Sequence, residues 1–198
     1  MTNILLLSTG AIIGIVVAVV LVLVLVIAVA AWYISAYNKL QRLKNLVEEG
    51  WHTIEVQLKK RYDLIPNLVE TVKGYAKHES GTLEAVIAAR NAAMTATGDG
   101  KIEAENALNG TLKSLFALKE AYPELKANTN FLDLQNQLKG IENEIASARR
   151  YYNGTVKELN TRIDIFPSSI VARRMRLEKR SYFEIENAEE RNAPQVKF

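Results

Sequence analysis

The sequence predicts an all-α protein in which an N-terminal transmembrane helix continues into a cytoplasmic antiparallel four-helix bundle. Three observations predict it. No Lys, Arg, Asp, Glu or His precedes Lys39. From Leu40 onward the apolar residues recur at three-and-four spacing, the signature of a helix with one buried face. No segment alternates at period two, so a sheet has no support.

The first element is the span. Ala11 to Tyr33 is 23 residues long, and Gly14 is its only member outside the hydrophobic set. At ~1.5 Å rise per residue, such a helix reaches about 34 Å, enough to cross a hydrocarbon core of roughly 30 Å. Its many Val and Ile residues lean towards strand in water. In lipid a single segment must satisfy its own backbone hydrogen bonds and so becomes helix. We place the span at residues 11–34, with Ala11, Gly14, Val22, Ala31 and Trp32 as its markers. Gly10, Gly14 and Ala18 form a small-xxx-small ladder, which in a helix this rich in small residues is weak evidence for packing between spans.

Orientation follows from the flanks. Residues 1–10, the expected short extracytoplasmic N-terminus, contain no Lys or Arg, whereas Lys39, Arg42 and Lys44 follow the span. The positive-inside rule then puts the following domain in the cytoplasm. Trp32, Tyr33 and Tyr37 cluster at the inner end, where aromatic rings favour the interface. A cleaved signal peptide fits less well, although Ala28-Val29-Ala30 resembles a cleavage site. The start of the chain has no positive charge, and the apolar run exceeds the ~7–15 residues of a signal h-region.

Residues 35–167 are expected to form the bundle. Leu40, Leu43, Val47, Trp51, Ile54 and Leu58 make the first stripe, which we read as a continuation of the span's helix. Pro66 interrupts this pattern, removing a donor and disfavouring helix at Ile65, and Asp63 is placed to cap a new helix there. Whether Pro66 reverses the chain or only kinks it stays open. A second stripe runs through Leu68, Val69, Val72, Tyr75, Leu83, Val86 and Ile87 to the turn Thr97–Gly100. The third helix covers about Lys101 to Ala121, with Leu108, Leu112, Leu115 and Phe116 inward, and stops at Pro123. The fourth holds its spacing over 36 residues from Phe131 to Phe166, with Asn130 and Asp133 as its expected cap. Residues 168–198 form a tail, first basic and then acidic.

Composition excludes several functions. The net charge of +3 is too mild to argue for nucleic acid. No cysteine is present, which removes disulfides, thiolate metal sites and lipoprotein anchors. Position 82 is Thr, so His78-Glu79 does not extend to an HExxH zinc motif, and the other histidine, His52, lies 26 residues away. The pair is expected to cap or to ion-pair. No Ser-His-Asp order, glycine-rich phosphate loop or supported carboxylate pair is found. The expectation is therefore no catalytic residue, no cofactor and no metal.

Several polar strings mark the helix boundaries: Arg61-Tyr62-Asp63-Leu64-Ile65-Pro66-Asn67-Leu68-Val69, Val72-Lys73-Gly74-Tyr75-Ala76-Lys77-His78-Glu79, and Glu120-Ala121-Tyr122-Pro123-Glu124-Leu125-Lys126-Ala127-Asn128. Asn130-Phe131, Glu142, Ala148-Arg149, Tyr152-Asn153, Asn160 and Phe166-Pro167 follow in order. From about Tyr37 to Pro167 the chain resembles the LemA family. It departs at Glu124, where that family usually has Asp, and at Leu159, where an aromatic is common. The resemblance implies a four-helix bundle on one membrane helix in the bacterial inner (plasma) membrane. It implies no reaction. It points to membrane organisation, or to an adaptor beside a membrane protease or a phosphatase-like protein.

Two groups of residues remain as candidate sites. Glu142 and Arg149 lie seven apart on one helix face, and Asn153 and Asn160 repeat that spacing. With Arg61, Asp63, Asn67, His78 and Glu79 they are read as a structural polar layer that fixes helix register, in preference to a partner-binding groove. Arg173, Arg174, Arg176, Lys179 and Arg180 form a basic run that would meet anionic lipid if the chain returns to the membrane, or a partner if it does not. The expected partners are the lipid bilayer, further copies of the chain and the protease or phosphatase-like protein; nucleic acid is not among them. The leading expectation for function is a non-enzymatic scaffold that self-associates, with the adaptor as the alternative.

Overall fold

The computed structural model describes residues 9–183, and all regular structure among them is helical. The first eight residues of the expected extracytoplasmic N-terminus and the acidic end of the tail lie outside the described residues. The elements are α1 (Thr9–Lys73), α2 (Ser80–Thr95), α3 (Asp99–Ala121), α4 (Pro123–Ala127), α5 (Thr129–Asp164) and α6 (Ser168–Arg174).

Helix α1 is 65 residues long and carries the apolar segment at its N-terminal end. That segment is long and apolar enough to cross a membrane, with a mean hydropathy of 3.7, and none of it is buried by the rest of the chain. The expected break at Pro66 does not occur. Pro66 lies inside α1, Asp63 sits mid-helix, and the chain turns at Gly74–Glu79 instead. A proline ring displaces the hydrogen bond to the carbonyl four residues earlier. That carbonyl belongs to Tyr62, and Arg90 of α2 donates its Nε–H to it at 2.7 Å. The freed acceptor is thus satisfied from a neighbouring helix, which removes much of the reason for α1 to end there. Leu68, Val69 and Val72 consequently belong to α1 and not to the second helix.

The chain divides into two compact units, Met1–Asn45 with Lys157–Arg180 and Leu46–Val156 with Ser181–Phe198. In the second unit four helices pack through Val47, Ile54, Leu58, Ile65, Leu83, Leu108, Leu115, Phe131 and Ile145, all buried. The links between them are short, as antiparallel neighbours require. Gly98, at φ 58°, supplies the left-handed residue of the α2–α3 turn. Pro123 occupies the first turn of α4, where its missing N–H costs nothing. The cap of α5 is Asn128 and not Asn130, because the Asn128 Oδ1 accepts the Phe131 N–H at 2.8 Å.

At Gly50 α1 passes close to α5. A Cβ there would lie 3.3 Å from the Tyr152 Cα and 3.4 Å from the Tyr151 ring. Gly50→Val is therefore expected to destabilise the fold by about 1–3 kcal/mol through overpacking. Thermal unfolding of the full chain in detergent, followed by circular dichroism, reads this loss. Melting at or above wild type would show that the two helices have room to part.

In the first unit, Leu40, Leu43, Leu159, Val171 and Ala172 are buried. Ser168 closes the end of α5: its hydroxyl lies 2.8 Å from the Arg162 carbonyl and 3.0 Å from that of Ile165. The Asn160 side chain accepts the Arg180 N–H at 2.9 Å and donates to the Arg180 carbonyl at 2.9 Å. Phe166, expected to continue the inward stripe of α5, is 80% exposed. The helix ends at Asp164, so helical phase no longer governs that side chain.

Candidate functional site

A charged cluster lies inside the second unit. Arg61 is fully buried on α1. Its guanidinium donates to Glu105 of α3, to Asn109 Oδ1 at 2.8 Å and to Glu142 of α5 at 2.6 Å. Glu105 is also fully buried and accepts the Tyr62 hydroxyl proton. Lys101 Nζ donates to the Tyr62 oxygen at 2.9 Å and to the Ala93 carbonyl at 2.6 Å, and lies 3.6 Å from Glu105. Burial pushes the Tyr62 phenol well above its ordinary range, and the Glu105 hydrogen bond and charge push the same way. The phenol thus stays neutral and donates. Two cations face two carboxylates, and the contacts tie α1, α2, α3 and α5 together.

Only part of the expected polar layer joins this cluster. Arg61 and Glu142 are in it. Asp63 is exposed and pairs with Lys59 at 2.9 Å. Asn67 is exposed and accepts the Thr71 hydroxyl through its carbonyl at 2.8 Å. His78 is exposed in the turn before α2. Glu79 occupies the N-cap position of α2 without a side-chain cap bond, and its carboxylate accepts the Tyr122 hydroxyl at 3.2 Å. Burial raises the Tyr122 phenol first, and Glu79 raises it further.

Arg149 and Asn153 instead face the C-terminal segment. The Arg149 guanidinium stands 5.6 Å from the Phe183 ring centre. Asn153 accepts the Phe183 N–H at 2.9 Å and donates to its carbonyl at 3.1 Å. The seven-residue repeat of asparagines on α5 thus reads as two clasps on the main chain, at Arg180 and at Phe183. Neither clasp belongs to a register layer inside the bundle. Sequence reasoning missed Tyr62, Lys101, Glu105, Asn109 and Arg90. Lys101 and Glu105 extend the Leu108, Leu112, Leu115 stripe backwards at the same spacing, and that was the available signal.

Beside the cluster, α3 and α5 enclose a groove of about 590 Å³, lined by Asn109, Leu112, Phe116, Gln135, Leu138 and Glu142. Lys113 and Lys139 stand in its walls. Glu142 serves both places: its carboxylate holds Arg61 and its side chain is 42% exposed in the groove. The lining offers an apolar floor, amides and two ammonium groups. It offers no nucleophile paired with a base, and its one carboxylate is committed to Arg61. Among the described residues no group of three or more His, Cys, Asp or Glu is placed to hold a metal ion.

The basic residues Arg173, Arg174, Arg176, Lys179 and Arg180 are all exposed. Lys179 pairs with Asp164 at 2.8 Å. Arg173 and Arg174 close α6, and Arg176 follows with φ 53°.

Comparison with known proteins adds a family. The model described as LemA family matches residues 50–198. It starts inside α1, after the apolar segment, and continues past Pro167. The burial of Phe183 gives a physical reason for that extension. A curated relative, "Protein LemA" of Metamycoplasma hominis, is 24% identical over 159 residues, which covers 79% of this chain and 73% of the relative.

Proposed function

We propose, from the premise that this chain belongs to the LemA family, that it is a membrane-anchored, non-enzymatic scaffold. In this reading it self-associates and organises or shapes the membrane. The observation that carries the proposal is α1. One helix bears both the uncovered apolar segment and the core residues from Leu40 to Val72, with no turn or loop between them. Side chains from Ile12 to Val29 are half-exposed or more, and lipid or other copies of the segment would cover them. Lys39, Arg42 and Lys44 set the following residues on the cytoplasmic side.

The test is the mass of the full-length protein after extraction in mild detergent, by light scattering on a size-exclusion column. Scaffolding predicts a mass of several chains that persists on dilution. A strict monomer at high concentration would overturn it. A second reading is favoured by the α3–α5 groove, whose amides and lysines suit a partner's peptide. In that reading the chain is an adaptor for a membrane protease or a phosphatase-like protein. It predicts a monomer that co-purifies with a distinct protein, and loss of that protein on Phe116→Ala or Lys139→Glu.

A further inference from the structure

We infer that the turn after α5 and the outer face of α6 form a second membrane contact, seated in the interface and taking anionic phospholipid headgroups. The inference rests on the reading that the apolar segment of α1 spans the bilayer. All the residues concerned lie in the first unit.

The turn is apolar where water would favour polar groups. Phe166 is 80% exposed, more than any other large hydrophobic side chain among the described residues. Ile165 next to it is 43% exposed, and Ile170 on α6 is 55% exposed. The inward positions of the same stretch are filled by Ser168, Val171 and Ala172, which leaves these three side chains outside. On α6, Ile170 shares the exposed side with Arg173 and Arg174, three and four residues on. An exposed aliphatic and aromatic knuckle beside guanidinium groups is the composition of an interfacial anchor.

Its place supports the same occupant. A cavity of about 200 Å³ is lined by Trp32, Ser35 and Lys39 of α1 and by Arg162, Phe166 and Pro167. The turn therefore lies beside the residues at which the apolar segment gives way to charge, where Trp and Tyr mark the edge of a bilayer. Charge agrees. Residues 157–180 hold seven Lys or Arg against three Asp or Glu, and the first 45 residues hold Lys39, Arg42 and Lys44 with no acid. Of the carboxylates, Glu158 faces Lys39 at 3.9 Å and Asp164 faces Lys179 at 2.8 Å. The third acid is Glu178, so ten cations stand against three acids in these segments, and phosphate headgroups are the matching charge for the excess.

The absence of cysteine makes the test direct. Single spin labels are placed by Phe166→Cys and Ile170→Cys, with Val22→Cys in the apolar segment and Glu103→Cys on α3 as references. The full chain is reconstituted into vesicles of phosphatidylcholine with phosphatidylglycerol. At positions 166 and 170 oxygen should collide with the label more often than an aqueous nickel chelate does, giving a positive but shallower depth than at 22. Position 103 should show the opposite sign. Vesicles of phosphatidylcholine alone, or the Arg173→Gln/Arg174→Gln variant, should shift 166 towards water. Labels at 166 and 170 as aqueous as at 103, with 22 still deep, would overturn the inference while leaving the anchor intact. Line broadening between labels at 166 would assign the turn to a second copy and also overturn it. Equal depth with and without phosphatidylglycerol would overturn the headgroup assignment. A label at 22 that is itself aqueous would overturn the anchor reading and this one together.

Discussion

Arg61→Met will destabilise the full-length protein by about 3–5 kcal/mol, the usual cost of removing one partner from a buried ion pair. The substitution keeps a long unbranched side chain, so little volume is lost. What changes is charge. Glu105, fully buried, would keep only the Tyr62 hydroxyl and Lys101, which stands 3.6 Å away on the same helix. Glu142 would lose its 2.6 Å contact but is 42% exposed, so water can replace it. The two carboxylates therefore predict different costs. Glu142→Gln should cost under about 1 kcal/mol, as partly exposed pairs do. Glu105→Gln should be severe. The double variant Arg61→Met/Glu105→Gln should recover part of the single loss, because it removes the carboxylate that Arg61→Met strands, while Lys101, which then loses its own carboxylate, keeps the recovery incomplete. Thermal melts in detergent measure all four proteins. If Arg61→Met melted like wild type, the cluster would not be fastening the helices.

The same cluster illustrates what the sequence could and could not disclose. The stripe from Leu40 to Leu58 and the stripes of α3 and α5 were legible because packing repeats every three or four residues. Arg61 is legible on the same logic: three residues after Leu58 and four before Ile65, it holds a core position with a charge. Lys101 and Glu105 do the same on α3. Which charges meet is set by the packing of three helices, and no local pattern encodes that. Pro66 misled for a related reason. Its penalty is local, but Arg90 relieves it from another helix. The asparagine pair at 153 and 160 was visible as a repeat, while its function was hidden. Its partner is the main chain of an extended segment, which has no periodicity to read. Phe166 misled because the stripe was extended past the point where α5 ends.

Phe183→Ala should be the second large loss, about 3–5 kcal/mol, as for large aromatic side chains removed from cores. Phe183 is 1% exposed although it follows α6 by nine residues. Its ring lies 5.7 Å from that of Trp51, and the Trp51 ring lies 5.6 Å from that of Tyr152. The Arg149 guanidinium covers it at 5.6 Å. The backbone is held as firmly as the ring, by both bonds to Asn153 and by the Tyr152 hydroxyl donating to the Ser181 carbonyl at 3.0 Å. Ring and clasp seat one segment, so their losses should not add. Asn153→Ala alone should cost about 1–3 kcal/mol by leaving backbone groups unpaired. In the double variant Asn153→Ala/Phe183→Ala most of that cost should vanish, since a segment without its ring has left the surface already. Trp51 reports the event. Its emission should shift to the red in Phe183→Ala at temperatures where the helices remain folded, while Phe183→Leu should keep most of the wild-type signal. Unchanged emission and melting in Phe183→Ala would mean that α1 and α5 bury Trp51 without the segment. The extension of the family match past Pro167 would then need a reason other than packing.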